Sequence, residues 1–393
     1  MMDIFESKVA GERHMELPLI AADNMFGLLF AFLGLAAFGF WSERTRLGQW
    51  LSGVVLTILA GTLLANLRIV PFASPFHDMV WTYAVSLAIP LLLFHADIRK
   101  LISEAGMMIA AFGVAVAGTV AGVLAGFYLI DLGPDANRIA ATLGASWIGG
   151  SMNFAAVSQA LGLNENGALI ATMAATDAVV MVVFMAAILT MAGSRALLRF
   201  IPSKIIEAGD DGVAHKEEAK PPLDMGALAT LLFLAAACAF GGRLIGEMLG
   251  MPGYSVLFIT LIALALANLF PAFLARLRGG FDLGMFFMYV FFGVIGAGAD
   301  VVLMVQTALP IFFFVLVMAT VHLAVVLAGA KIFRIDLAEA LIASNAVAVG
   351  PATAAAMAAS QRWRLLVTPG VLLGVFGYAI ANFIGVGLAG FLG

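Results

Sequence analysis

The sequence predicts an all-α, polytopic bundle of transmembrane helices arranged as two similar halves, and three observations predict it. The chain is 63% apolar and 11% charged, with a mean hydropathy of +1.07, far outside soluble averages. Apolar runs of roughly 18 to 27 residues recur along almost its whole length, each able to span about 30 Å of hydrocarbon. Two of these runs are interrupted, at Gly149-Gly150-Ser151 and at Pro351-Ala352-Thr353. Backbone that loses helical hydrogen bonds in lipid is tolerated only where protein or water covers it. Two such breaks at corresponding places in two halves point to the binding site of a secondary transporter.

In chain order, the spans are predicted at 25–42, 49–67, 78–98, 106–131, 136–162 and 167–193, then 226–249, 254–272, 283–304, 309–332, 336–361 and 364–392. Residues 1–24 form a polar N-terminal segment without the basic-then-apolar order of a signal peptide. The first membrane repeat is 25–193 and the second 225–393. Between them, 194–224 begins with Ser194-Arg195-Ala196-Leu197-Leu198-Arg199-Phe200-Ile201, which reads as a short amphipathic helix on the membrane surface. It continues through Asp210, Asp211, Lys216, Glu217, Glu218 and Lys220 to Pro221-Pro222 as a solvated linker. The single cysteine, Cys238, excludes an intramolecular disulfide.

The halves match at an offset of about 202 residues. Gly149-Gly150-Ser151 falls opposite Pro351-Ala352-Thr353, Ala156-Val157-Ser158-Gln159 opposite Ala358-Ala359-Ser360-Gln361, and Asp97 opposite Asp300. Six crossings per half make the repeats parallel, whereas broken-helix repeats are usually inverted and need an odd number. Either one segment is miscounted or a broken segment re-enters the side it left. With twelve crossings, the positive-inside rule places the N-terminus and the linker together in the cytoplasm. The expected location is the bacterial inner membrane.

An ionisable group deep in a span costs about 2.5–3.5 kcal/mol on insertion scales and is a functional candidate by default. Asp177 is the clearest case, with Thr172 and Thr176 beside it and no base nearby in sequence. It suits a sodium ligand or a proton carrier; the plainer reading is a carboxyl bonded across a helix interface. Around the first break lie Ser146, Trp147, Gly149, Gly150, Ser151 and Asn153; around the second, Ser344, Asn345, Gly350, Pro351 and Thr353. Freed N–H groups suit an anion and freed carbonyls a sodium ion, while Ser and Asn add neutral oxygens. Small-residue packing is the competing explanation for the glycines. Gln159, Gln361, Tyr378 and Asn382 are further cavity candidates. His95 and His322 read first as packing residues, and Asp97 and Asp300 as end caps. No GxxxxGK[ST], HExxH, CxxC or GxSxG pattern occurs, so neither an enzyme nor a cofactor beyond a possible sodium ion is expected. No basic stripe supports nucleic-acid binding.

The segment Gly144-Ala145-Ser146-Trp147-Ile148-Gly149-Gly150-Ser151-Met152-Asn153-Phe154-Ala155-Ala156 resembles the GSWIGGxANxAA signature of the DUF819 membrane proteins. Ala175-Thr176-Asp177-Ala178-Val179-Val180 resembles their AxDxVV segment, and Pro18-Leu19-Ile20 to Asp23 and Leu91-Leu92-Leu93 to Asp97-Ile98-Arg99-Lys100 are similar to other family landmarks. That family is grouped with the cation:proton antiporters and bile-acid:sodium symporters. The resemblance implies a panel and a core domain, two discontinuous helices crossing in the core, an elevator-like motion, and Asp177 at the antiporters' ion-binding position. Thr176 departs from the Asp or Asn usual before it. A homodimer is expected by analogy alone.

The leading expectation is a sodium-coupled symporter of a small, anionic organic solute. Sodium would be held by Asp177, Asn153, Ser151, Ser146 and Thr176. The solute would lie among Trp147, Gly149, Gly150, Ser344, Asn345, Gly350, Pro351, Thr353, Tyr378 and Asn382. The alternatives are a sodium/proton antiporter using Asp177 and, third, a receptor that binds without transport.

Overall fold

The structure is a computed structural model that describes residues 18–46, 48, 53–208, 224–299 and 301–393. Asp300, the N-terminal residues to 17 and the acidic linker residues 209–223 lie outside it. Every described element is helical. The main helices are α1 (Met25–Ser42), α2 (Gly53–Asn66), α3 (Pro75–Leu93), α4 (Met108–Leu129), α5 (Ala136–Ala160) and α6 (Gly167–Ala192). They continue as α7 (Met225–Met248), α8 (Ser255–Leu269), α9 (Gly280–Ala297), α10 (Val301–Phe333), α11 (Leu337–Ala348), α12 (Pro351–Ser360) and α13 (Val367–Leu392). Among the described residues, nine helices are long and apolar enough to cross a membrane, and α2 adds a shorter apolar one.

Local chemistry sets the ends. Asn24, Asn166, Asp224 and Asp336 cap α1, α6, α7 and α11 by accepting backbone N–H bonds within the first turn, satisfying donors that lipid would leave orphaned. The third span stops at Leu93 rather than 98, because Asp97 accepts from the N–H groups of Arg99 and Lys100 and starts a separate short helix, Ile98–Glu104. The tenth starts at Val301, earlier than its hydropathy suggests, and runs 33 residues through Pro310. The surface segment after α6 forms the helices Arg195–Phe200 and Lys204–Ala208. Asp336 pins it by accepting from Ser203 Oγ (2.5 Å) and Lys204 N (2.8 Å).

The two broken segments do not cross the bundle as interrupted rods. Ala145 and Val157 both pack on Gly385, although a straight helix would separate them by about 18 Å. Likewise Ile342 and Ala354 both pack on Gly370, and the Asn345 amide reaches Met357 Sδ at 3.3 Å. Each segment is therefore a hairpin, one within α5 and one made by α11 and α12, that returns to the face it entered. This corrects the expected pair of crossing discontinuous helices. Among the described residues, ten helices run between the two faces and two hairpins reach inward from opposite faces.

Helix directions follow from the contacts. Gly118, Gly122 and Gly126 of α4 meet His322, Met318 and Phe314 of α10, so this pair is antiparallel. Trp81 of α3 stacks edge-on against Phe291 of α9, while Leu92 meets Gly284, so that pair is antiparallel too. The first hairpin ends beside Gly253, and α6 starts against Gly298. The linker side holds Lys331, whose Nζ donates to the Phe200 carbonyl at 2.6 Å. Hence α6 ends on the face opposite the start of α1. This corrects the sidedness expected from twelve crossings, which put N-terminus and linker together. Of the described bases, Arg44, Arg46, Arg99, Lys100, Arg195, Arg199, Lys204, Arg276, Arg278, Lys331, Arg334 and Arg362 lie toward the linker face, against Arg68, Arg138 and Arg243 toward the other.

The helices pack in two sets. One comprises α1, α2, α3, α7, α8 and α9; the other comprises α4, α5, α6 and α10 to α13. The α2–α9 seam is a backbone contact, since a methyl placed on Gly296 would fall on the Ile58 carbonyl. Gly296→Val should therefore lower stability by about 1–3 kcal/mol, whereas Gly113→Val, with nothing within 4 Å, should be near neutral; melting curves in detergent compare them.

Candidate functional site

Between the two helix sets lies a cavity of about 650 Å³. Its floor is the meeting point of the hairpin tips. Gly150 has φ 71° and ψ −172°, and Gly350 has φ 123°, both backbone regions that side chains disfavour. A methyl on Gly150 would lie 3.5 Å from the Val349 carbonyl and 3.6 Å from the Tyr378 ring; one on Gly350 would lie 3.1 Å from Tyr378 Oη. The tips thus meet beside Tyr378. From this floor the cavity rises along α6 past Asp177, Met181 and Met185 to Leu189, and opens beside Glu43 and Asp282 on the linker face.

Asp177 faces the floor from α6. It accepts hydrogen bonds from Ser146 Oγ (2.9 Å) and Trp147 Nε1 (2.6 Å), both in the first hairpin. Donors to a carboxylate stabilise its charged form and fix its orientation while its remaining lone pairs face the cavity. Trp147 is fully buried and stacks edge-on with Phe184 at 5.0 Å, so the donor is locked. Trp147→Phe would remove the N–H and leave a small cavity where the second indole ring packed. It should lower stability by about 1.5–3 kcal/mol, the range for a bond to a charged group, read as a lower melting temperature.

The sequence-predicted residues divide. Ser146, Ser151, Asp177, Gly150, Gly350, Thr353 and Tyr378 line the cavity. Asn153 instead turns to α13, its amide donating to the Tyr378 carbonyl (2.9 Å) and Asn382 Oδ1 (2.8 Å). Thr176 bonds back to the Thr172 and Met173 carbonyls of its own helix. Asn345 and Thr353 bracket the second tip, with Thr353 Oγ1 donating to Asn345 Oδ1 at 2.7 Å. Trp147, Gly149, Ser344, Asn345, Pro351 and Asn382 stand behind the cavity wall rather than on it. Gln159 donates to the Trp81 carbonyl across the helix sets (3.2 Å), beside a π turn at Val80–Ala84. Asn382 makes a second such tie, to Thr260 Oγ1 (3.1 Å).

His322, which reads first as a hydrogen-bonded packing residue, is fully buried at the centre of a hydrogen-bond relay. Its two ring nitrogens bond Thr119 Oγ1 (2.9 Å) and Ser344 Oγ (2.8 Å). Thr119 also donates to the Trp147 carbonyl at 3.4 Å. The relay joins the second hairpin to the residue that holds Asp177. Thr119 and His322 are 203 residues apart, close to the offset that pairs the two breaks, and that offset was the available signal. Glu43, Asp282 and Tyr289 were missed altogether. Tyr289 Oη donates to Glu43. These residues are distant in sequence: Glu43 and Asp282 read individually as span ends, and Tyr289 as an aromatic packing residue within a span.

The fold and site define a polytopic helical membrane protein with a polar site enclosed by two re-entrant hairpins. A family model, "Protein of unknown function (DUF819)", matches residues 28–393, and the chain belongs to this family. It is also 32% identical over 385 residues to "Uncharacterized membrane protein YjcL" of Bacillus subtilis (strain 168), covering 93% of this chain and 96% of that relative.

Proposed function

We propose that the protein is a secondary active transporter in which Asp177 takes up and releases a proton at the meeting point of the two hairpins. The carrying observation is a single carboxylate on the cavity floor, oriented by two donors with its other lone pairs toward the cavity. Buried intramembrane carboxylates mark ion and proton pathways. Sodium, the first expectation, is less well served. Trp147 N–H is a donor, not a ligand, and Asn153 and Thr176 stand off the cavity lining, the buried Asn153 Oδ1 having no hydrogen-bond partner among the described residues. Sodium prefers a shell of oxygens, and Ser146 and Ser151 alone remain from the expected set in the cavity with Asp177.

The antiparallel α3–α9 and α4–α10 pairs support reading the halves as inverted repeats. Two helix sets with a cavity between them support an elevator-like motion of the hairpin-bearing set against the other. The excess of bases on the linker face supports placing that face in the cytoplasm by the positive-inside rule, with the cavity cytoplasm-facing and the start of α1 on the outer face.

A pH titration of tryptophan fluorescence tests the assignment, because Trp147 donates to the group that titrates. In sodium and in potassium the purified protein should show the same one-proton transition, absent from Asp177→Asn. A midpoint that moves with sodium would restore sodium as the coupling ion. A transition that persists in the variant would remove Asp177 from the mechanism.

A further inference from the structure

The cavity that the proposed function treats as the transport site also carries information about its solute. At about 650 Å³ it falls within the range of drug-sized ligand pockets, roughly 300–1,000 Å³. Its charged lining consists of three carboxylates: Asp177 on the floor and Glu43 and Asp282 at the mouth, with no Lys, Arg or His among the described lining residues. The mouth is acidic although the face around it is basic. Between mouth and floor the walls are aromatic and aliphatic, with Phe40, Phe154, Phe281, Tyr289 and Phe292 among them. Phe40 and Tyr289 sit 4.6 Å apart, ring centre to ring centre.

The opposing contribution is the pair of helix starts at the hairpin tips, the reason an anionic solute is expected from the sequence. Each is equivalent to about half a positive charge, and the helix that ends at the same tip to about half a negative one, so the tips nearly cancel and leave the three carboxylates unopposed. Protonation of Asp177 still leaves −2 at the mouth. Aromatic faces attract cations and not anions. Acidic rim, aromatic wall and floor carboxylate therefore select the same chemistry.

We infer that the solute is an organic cation, a quaternary or protonated amine with an aromatic or aliphatic body. Its ammonium group pairs with the Asp177 carboxylate after the proton has left to cavity water, so proton and solute occupy the site in turn and move in opposite directions. This rests on the reading of Asp177 as the coupling group.

The test uses the full-length protein in nanodiscs and three probes built on one ring: benzyltrimethylammonium, benzyl alcohol and benzenesulfonate. Melting temperature is followed against probe concentration for the wild type and for Glu43→Gln/Asp282→Asn. The cation alone should raise it saturably, through linkage, and the double variant should need about tenfold more of it, a screened two-charge effect. Stabilisation by benzenesulfonate, no stabilisation by the cation, or an equal response of the double variant would each overturn the inference. The fluorescence titration of Asp177 needs no solute and separates the two readings. A normal titration without cation binding removes only the solute class. Carboxylate-dependent cation binding without a titration removes only the proton coupling.

Discussion

Asp177→Asn should abolish proton-coupled transport while leaving the protein folded. The amide is nearly isosteric, its oxygen can still accept from Trp147 Nε1, and Ser146 can turn its hydroxyl to receive the new N–H. Net stability should change by no more than about 1 kcal/mol, the scale of one hydrogen bond exchanged for another. Replacing a carboxylate by a neutral group in a low-dielectric site removes a desolvation cost, so the melting temperature should not fall. Transport should fall by about 100-fold or more, the scale of an obligatory proton-transfer group. Proteoliposomes loaded with a pH-sensitive dye and given benzyltrimethylammonium outside provide the readout: proton efflux in the wild type, none in the variant. A variant that exchanges normally would show that Asp177 is a buried structural carboxyl.

Much of this site can be read from the chain alone, and the part that cannot has a physical reason. Apolar run length locates the spans, because the bilayer sets that length directly, but it reads the two hairpins as spans as well. Asp177 stands out because a membrane carboxylate is costly. Gly149-Gly150 and Gly350-Pro351 show where the helices break. A break does not encode where the chain goes next: an interrupted rod and a hairpin both need residues that leave helical geometry. The direction is decided by packing on Gly385 and Gly370, more than two hundred positions from one break and a few turns from the other. Sidedness then follows from that geometry, since turning the first broken crossing into a hairpin moves the linker to the opposite face. Arg276, Arg278, Lys331 and Arg334 thereby join Arg44, Arg46, Arg99 and Lys100, and a mixed charge distribution becomes a one-sided one. Asn153 was invisible as an inward-facing residue because its partner Asn382 is 229 positions away. Glu43 and Asp282 each look like an ordinary span end, and only the bundle places both at one mouth.

The hairpin tips make the second large effect. Gly150 occupies a backbone region that is essentially restricted to glycine, and the tip lies between Val349 and Tyr378 on one side and the Asn153–Asn382 bond on the other. Gly150→Ala should destabilise by about 1–3 kcal/mol. Gly350→Ala should cost at least as much, since its methyl would add a contact 3.1 Å from Tyr378 Oη. Gly162→Ala is the control for positive φ alone: it has φ 73° and ψ 18° with nothing within 4 Å, an ordinary left-handed position that costs about 1–2 kcal/mol. The discriminating readout is functional. Ser146 and Trp147 precede the Gly150 turn by less than two helical turns, so a shifted tip moves both donors off Asp177. The pH transition of Trp147 should broaden or move in the Gly150 and Gly350 variants and stay at its wild-type midpoint in Gly162→Ala. If Gly150→Ala melts like Gly162→Ala and titrates like the wild type, the tip is a packing joint. If stability falls and the titration moves together, the tips hold Asp177 in its working geometry, and the same two glycines set both the floor of the cavity and the proton site above it.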